Sequence, residues 1–109
     1  MAFDFSNLVP QMLGAAEKEI VSGWDEVKSY AETEFKKFTL SLEDIGKLLL
    51  AGKISVERAQ LLTELHKNAI QNVLLTIEGL GILTVQRAIN AAVSVIKDTV
   101  NSAIGFAVI

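Results

Sequence analysis

The sequence predicts an all-α protein, built as a long antiparallel helical hairpin whose copies assemble into a homo-oligomeric helical bundle. An apolar stripe with a period of about 3.64 residues runs through the first half of the chain. The second half carries stripes of nearly the same period, and a glycine-centred turn separates the two halves. We therefore expect one helical domain, 1–109, with arm 1 at about 7–51, a turn at 52–55, arm 2 at about 56–103 and an apolar tail at 104–109.

Arm 1 begins after a short extended lead-in that contains Phe3 and Phe5. Ser6 is a suitable N-cap, and Pro10 falls in or near the first turn, where its missing N–H costs little. Apolar residues then follow at steps of three or four: Val9, Leu13, Ala16, Ile20, Trp24, Val27, Ala31, Phe35, Phe38, Leu42, Ile45 and Leu49. This unbroken phase predicts a continuous amphipathic helix with a charged opposite face.

A second helix start competes with this interpretation near Ser41, which resembles an N-cap with Asp44 three residues later. Because the apolar stripe keeps its phase through Phe38 and Leu42, we favour a continuous helix, kinked at most.

The turn after this helix is clearer. Gly52 suits a left-handed position beyond the helix end, Ser55 suits the next N-cap, and only two residues lie between them. So short a loop makes the two arms antiparallel neighbours.

Arm 2 has an unusually wide apolar face over residues 68–101, roughly 200° of a helical wheel. The narrow opposite face is polar but almost uncharged: Asn68, Asn72, Thr76, Gly79, Leu83, Gln86, Asn90, Ser94, Lys97 and Asn101. Exposed helix faces usually carry charges, so these amides and hydroxyls favour a seam against another helix, with the wall of a polar channel as the alternative. Gly79 and Gly81 are the only candidate helix breakers in this arm.

A hairpin folded about residues 53–54 brings together positions whose numbers add to about 107. This rule places three pairs side by side: Trp24 with Leu83, Lys28 with Glu78, and Glu19 with Arg87. The indole of Trp24 would then lie close to two glycines, which is the large–small complementarity of a packed seam.

Glu78 lies inside the apolar arc of arm 2, where an ionised carboxylate must be paired or protonated. We favour an ion pair with Lys28 or with a neighbouring copy, which would fix the register. The functional alternative is a buried acid that binds a cation, relays a proton or controls insertion into a membrane.

No catalytic, metal or cofactor site is predicted, and we expect a protein that is not an enzyme. The single histidine, His66, has no partner at a spacing that would make it a base or a metal ligand. There is no cysteine, phosphate-binding loop or zinc motif, and no small-molecule substrate is evident.

The net charge of −3 argues against a nucleic-acid partner. The start of the chain lacks the pattern of a secretory signal, and with no cysteine we expect a cytoplasmic protein. No run of about 18 uncharged apolar residues predicts a membrane span.

The apolar arc of arm 2 is wider than one facing helix can cover, so the sequence predicts self-association, with a dimer as the default. The structural alternative is a compact monomeric four-helix bundle, with the arms folded at Gly79–Gly81 and near Ser41. The leading function is a structural or protein-interaction module that associates with itself. The alternative is an amphipathic protein that lies on a lipid surface or inserts to form a pore. The uncharged tail should dock on the rest of the molecule.

Overall fold

A computed structural model of the chain describes residues 3–109 and contains four α-helices. A single 3-10 turn, Ser6–Leu8, precedes α1 (Val9–Glu19), α2 (Trp24–Leu50), α3 (Val56–Leu74) and α4 (Ile82–Ile104). The described residues contain no β-strand. The all-α class is therefore confirmed.

The turn between α2 and α3 forms where it was predicted. Gly52 has a φ of +71°, and the amide of Lys53 reaches back to the carbonyl of Leu48 at 2.9 Å. The Ser55 hydroxyl oxygen accepts a hydrogen bond from the amide of Arg58 at 3.0 Å, which caps α3. Local sequence chemistry accounts for this whole connection.

Arm 1 is not one continuous helix, and this part of the prediction is wrong. The helix stops at Glu19, Ile20 takes an extended conformation, and the chain restarts after Gly23, whose φ is +81°. The break near Ser41 that the compact alternative required is also wrong, because Ser41 lies within α2. Its hydroxyl donates to the Lys37 carbonyl at 2.9 Å, a bond that a serine can make inside a helix without ending it.

Arm 2 is also divided, at the glycines named in the alternative. α3 ends at Leu74, and residues 75–81 form a loop in which Gly79 has a φ of +90°. Gly81 is extended and occupies the N-cap position of α4. The helix ends five residues before this left-handed glycine, and the loop separates α3 from α4, so the expectation of a continuous second arm is wrong.

The two breaks turn the hairpin into a compact helical bundle of 43 × 22 × 18 Å. α1 packs mainly on α4, and α2 packs mainly on α3. α1 also packs along α2, whereas α3 and α4 meet over a shorter stretch. The predicted register holds at the α2–α3 pair, where Ser41 Oγ lies 3.4 Å from His66 Nδ1 and the residue numbers add to 107.

The core is built from the apolar faces that the sequence periodicity identified. In α4 it buries Val85, Ala88, Ile89, Ala92, Val93, Ile96 and Val100. In α2 it buries Val27, Ala31, Phe35, Phe38, Leu42, Ile45 and Leu49. The wide arc of arm 2 is thus largely covered within one chain, because the breaks let α1 and α2 both reach it.

Both ends of the described chain pack onto this core. Phe3 and Phe5 are buried with their rings stacked at 5.7 Å, and the Phe5 amide donates to Glu43 Oε2 at 2.9 Å. At the other end, Asn101 Oδ1 accepts hydrogen bonds from the amides of Val108 and Ile109 at 3.0 and 3.1 Å. The prediction that the apolar tail docks is confirmed.

Candidate functional site

A groove with a polar lining runs between α3 and α4, and we call it the amide groove. It exists because these two helices meet over only a short stretch. Its volume is about 360 Å³, and it is lined by Glu64, Lys67, Asn68, Gln71, Gln86, Ile89 and Asn90. The Ile89 side chain is buried in the core, and the other lining residues are polar.

The chemistry of the groove is that of four amide side chains, contributed by Asn68 and Gln71 of α3 and by Gln86 and Asn90 of α4. Within residues 3–109, none of the four forms a side-chain hydrogen bond to another residue. Each amide offers both donors and an acceptor. The groove can therefore bind the polar groups of another polypeptide, whether those groups donate or accept hydrogen bonds.

The predicted amide stripe of arm 2 is only partly brought together here. Asn68, Gln86 and Asn90 line the groove, whereas Asn72 is exposed elsewhere. Gln71 completes the set although it is not on the predicted stripe. Its position three residues after Asn68 is the signal that was available, since residues three apart share a helix face.

Glu78 is exposed, so its expected enclosure in the apolar arc is wrong for the folded chain. It lies in the loop 75–81, where a helical wheel no longer describes side-chain directions. The salt bridges within 4.0 Å among residues 3–109 join Lys36 to Glu32, Lys37 to Glu34 and Lys67 to Glu64. Lys28, also exposed, does not pair with Glu78.

The structure does not join the residues of the two other predicted pairs by a salt bridge or a buried contact. Glu19 and Arg87 line one shallow surface groove, with their charged groups more than 4.0 Å apart. Trp24 is half-buried and packs against the core, but Leu83 is 64% exposed. Leu83 therefore does not provide a buried partner for the indole.

Glu34 is a buried acid that the sequence analysis missed. It is 7% exposed, and its Oε2 lies 3.2 Å from Lys37 Nζ, whose side chain reaches into solvent. Its spacing was the available signal, because it lies three residues after Ala31 and four before Phe38, both on the buried face. A buried carboxylate needs such a partner, so this pair serves the packing of α2.

His66 is half-buried at the α2–α3 contact. Its Nδ1 lies 3.4 Å from Ser41 Oγ, and the Ser41 hydroxyl already donates to a backbone carbonyl. The contact joins α2 to α3, and which of the two groups donates depends on the tautomer of the imidazole. In the part of the chain that the structure describes, no three acidic or histidine side chains are close enough to hold a metal ion.

A scan against protein-family models finds no match to this chain, and searches of curated proteins and of solved structures also find none. Across residues 3–109, the helices are too short or too polar to cross a bilayer.

Proposed function

We propose that the protein is a non-enzymatic interaction module that associates with a second copy of itself through the amide groove. The observation that supports this most directly is the set of four amide side chains that line the groove without a side-chain partner among residues 3–109. The helix contacts in the bundle core are mainly apolar, with Ser41 and His66 as a polar contact between α2 and α3. A polar seam with free hydrogen-bonding groups favours a polar helix as its occupant.

A second copy supplies such a helix face. In a dimer with two-fold symmetry, each groove residue meets the same set of residues in the partner. Amides suit this arrangement because each can donate to its counterpart and also accept from it. The net charge of −3 on each copy opposes association only weakly and is screened by salt.

The test is the native mass of the full chain by light scattering over a range of concentrations, for the wild type and for Gln86→Glu with Asn90→Asp. These two changes keep side-chain size and shape, and both positions are exposed on α4. They place like charges opposite one another across the two-fold axis. We expect the wild type to dimerise and the variant to dimerise at least about tenfold more weakly.

The matched control is Asn7→Asp with Asn72→Asp. It adds the same two charges at exposed positions outside the groove. We expect it to dimerise as the wild type does. Equal weakening of both variants would mean that net charge, rather than the groove, controls association, and a wild type that stays monomeric throughout would end the proposal.

The lipid-surface alternative is favoured by one observation. Leu61 and Leu65 lie one helical turn apart on the outer face of α3, and each is 55% exposed. Exposed leucines on one face of a helix can enter the headgroup region of a membrane. Flotation with neutral and anionic liposomes tests this, using Leu61→Asn with Leu65→Asn as the comparison. The alternative requires the wild type to float with vesicles and the variant to stay behind.

A further inference from the structure

We infer that the bundle is a long hairpin doubled over at its middle, and that it opens at two hinges to exchange halves with a second copy. The hinges are residues 20–23, which we call hinge 1, and residues 75–81, which we call hinge 2. This route to a dimer is separate from docking through the amide groove. It concerns which chain supplies each half of the bundle.

The first support is the register of the packed helices. α2 pairs with α3 in the hairpin register, as the contact of Ser41 with His66 shows. α1 pairs with α4 in the same register, since Glu19 and Arg87, whose numbers add to 106, share one groove. The chain therefore consists of two successive segments of one hairpin, α2 with α3 and α1 with α4, laid side by side.

The second support is the position of the hinges. Ser22 and Gly23 of hinge 1 line the same small cleft as residues 77–80 of hinge 2. Two breaks that lie together can open as one, swinging the α1–α4 half away from the α2–α3 half without separating either pair. Within hinge 1, Val21 is 99% exposed and does not hold the hinge closed, whereas Ile20 is buried in the core and must repack when the hinge opens.

The third support is the phase of the sequence across hinge 1. Ala16, Ile20, Trp24 and Val27 keep steps of three or four through hinge 1. If both hinges become helical, each arm becomes a continuous helix. Arm 1 keeps its apolar face on one side, and arm 2 keeps its wide apolar arc with Glu78 inside it, where the carboxylate must be paired or protonated. The α1–α4 half of one copy can then pack on the α2–α3 half of another.

Exchange preserves the contacts between the halves. The packing of α1 on α2 and the hydrogen bond from the Phe5 amide to Glu43 form equally well between two chains. The equilibrium between the closed single chain and the exchanged dimer therefore depends on two quantities. One is the protein concentration, which offsets the entropy lost on association, and the other is whether the hinges prefer a bend or a helix.

The glycines make that preference testable. Gly23 and Gly79 have φ values of +81° and +90°, and a Cβ at either position would meet no atom within 4 Å. Alanine at these sites disfavours the left-handed bend and favours a helix. Gly23→Ala with Gly79→Ala should therefore lower the dissociation constant of the dimer by about 100-fold or more, since each dimer contains four such sites.

The matched control is Gly52→Ala with Gly105→Ala. These glycines also have positive φ values, +71° and +88°, and equally open surroundings. They lie at the α2–α3 turn and at the end of α4, which are bent in both arrangements. The control should lose stability but keep the native mass of the wild type. Equal masses for the hinge variant and the control would overturn the inference.

A distance within one chain separates exchange from ordinary docking. The chain has no cysteine, so spin labels at Gln11→Cys and Thr33→Cys, both exposed positions, report only on hinge 1. The closed chain holds these sites on neighbouring antiparallel helices, whereas a continuous helix separates their Cα atoms by about 33 Å. Labelled protein is diluted into unlabelled protein so that distances between chains do not contribute. The long distance should appear in the hinge variant at dimer concentrations, and a dimer showing only the short one would overturn the inference.

Val21→Pro provides a test that does not require the alanine variant to fold. A proline at this position prevents a continuous helix, and it suits the extended conformation that Ile20 already has before it. It should abolish the long intrachain distance that the wild type develops when it is annealed at high concentration. No long distance in the annealed wild type would contradict the inference. Gln86→Glu with Asn90→Asp should leave the exchanged dimer of the hinge variant intact, which separates failure of exchange from failure of the proposed docking.

Discussion

Gly46 is the position where the described N-terminal segment packs most closely onto α2. A Cβ built at this residue would lie 2.8 Å from Phe3 Cε2 and 3.1 Å from Ile104 Cγ1. The closer contact is with the ring of Phe3, near the start of the chain. Gly46→Ala therefore forces that ring to shift or to leave its site.

The expected size of the effect follows from two opposing contributions. Overpacking a core costs about 1–3 kcal/mol. Because Phe3 can leave its site instead, the cost does not exceed the free energy of burying a phenylalanine, about 1.5–3 kcal/mol. Alanine inside a helix gains about 1 kcal/mol over glycine. We expect Gly46→Ala to lower the free energy of unfolding by about 1 kcal/mol, measured by urea denaturation followed by circular dichroism.

The decisive comparison is the same substitution in a Phe3→Ala background. With the ring removed, the tightest contact is gone and only Ile104 Cγ1, at 3.1 Å, stays close, so the effect of Gly46→Ala on the free energy of unfolding should be about 1 kcal/mol or more favourable than in the wild type. Gly14→Ala is the control, because Gly14 lies in α1 with no atom within 4 Å of an added Cβ, and it should stabilise in both backgrounds. If Gly46→Ala stabilises the wild type as much as the Phe3→Ala chain, the packing described here is refuted.

Two further predictions concern the ends of the chain. Asn101→Ala removes the acceptor for the last two backbone amides, so it should destabilise the chain by about 1–2 kcal/mol and speed hydrogen exchange at those amides more than elsewhere. Unchanged exchange there would show that the tail is held by apolar contacts alone. Hydrogen bonds from the hydroxyl and amide of Ser6 hold the pKa of the Asp4 carboxyl below its ordinary value of 3.8. Because the folded-state pKa is the lower one, the stabilisation from Asp4 is present above pH 3.8 and is lost as the pH falls through the folded-state pKa. An NMR titration of Ser6→Ala should move the Asp4 midpoint back toward 3.8, and an unmoved midpoint would contradict the assigned cause.

Much of this fold follows from local chemistry that the sequence displays. The turn at Gly52 and Ser55 was predictable because each residue satisfies a backbone requirement of its own. The α2–α3 register was predictable because a short turn leaves antiparallel helices few ways to pair. The docking of the tail followed from its lack of charge.

The doubling of the hairpin was not predictable from periodicity. Ile20 and Trp24 belong to the same apolar face whether the chain continues straight or folds back between them. Phase alone therefore does not distinguish a long helix from two short ones that share a core. Glu78 was misplaced for the same reason, since its wheel position assumed a helix that ends at Leu74. The amide groove was only partly predicted, because Gln71 joins it through the packing of α3 against α4.

Native mass as a function of concentration tests the central claim of self-association most directly. The single chain has a mass of 11.8 kDa. Light scattering of the wild-type chain should give a mass that rises to twice this value with concentration, and Gln86→Glu with Asn90→Asp should shift that rise to higher concentration. A mass that stays at 11.8 kDa at every concentration would contradict the claim.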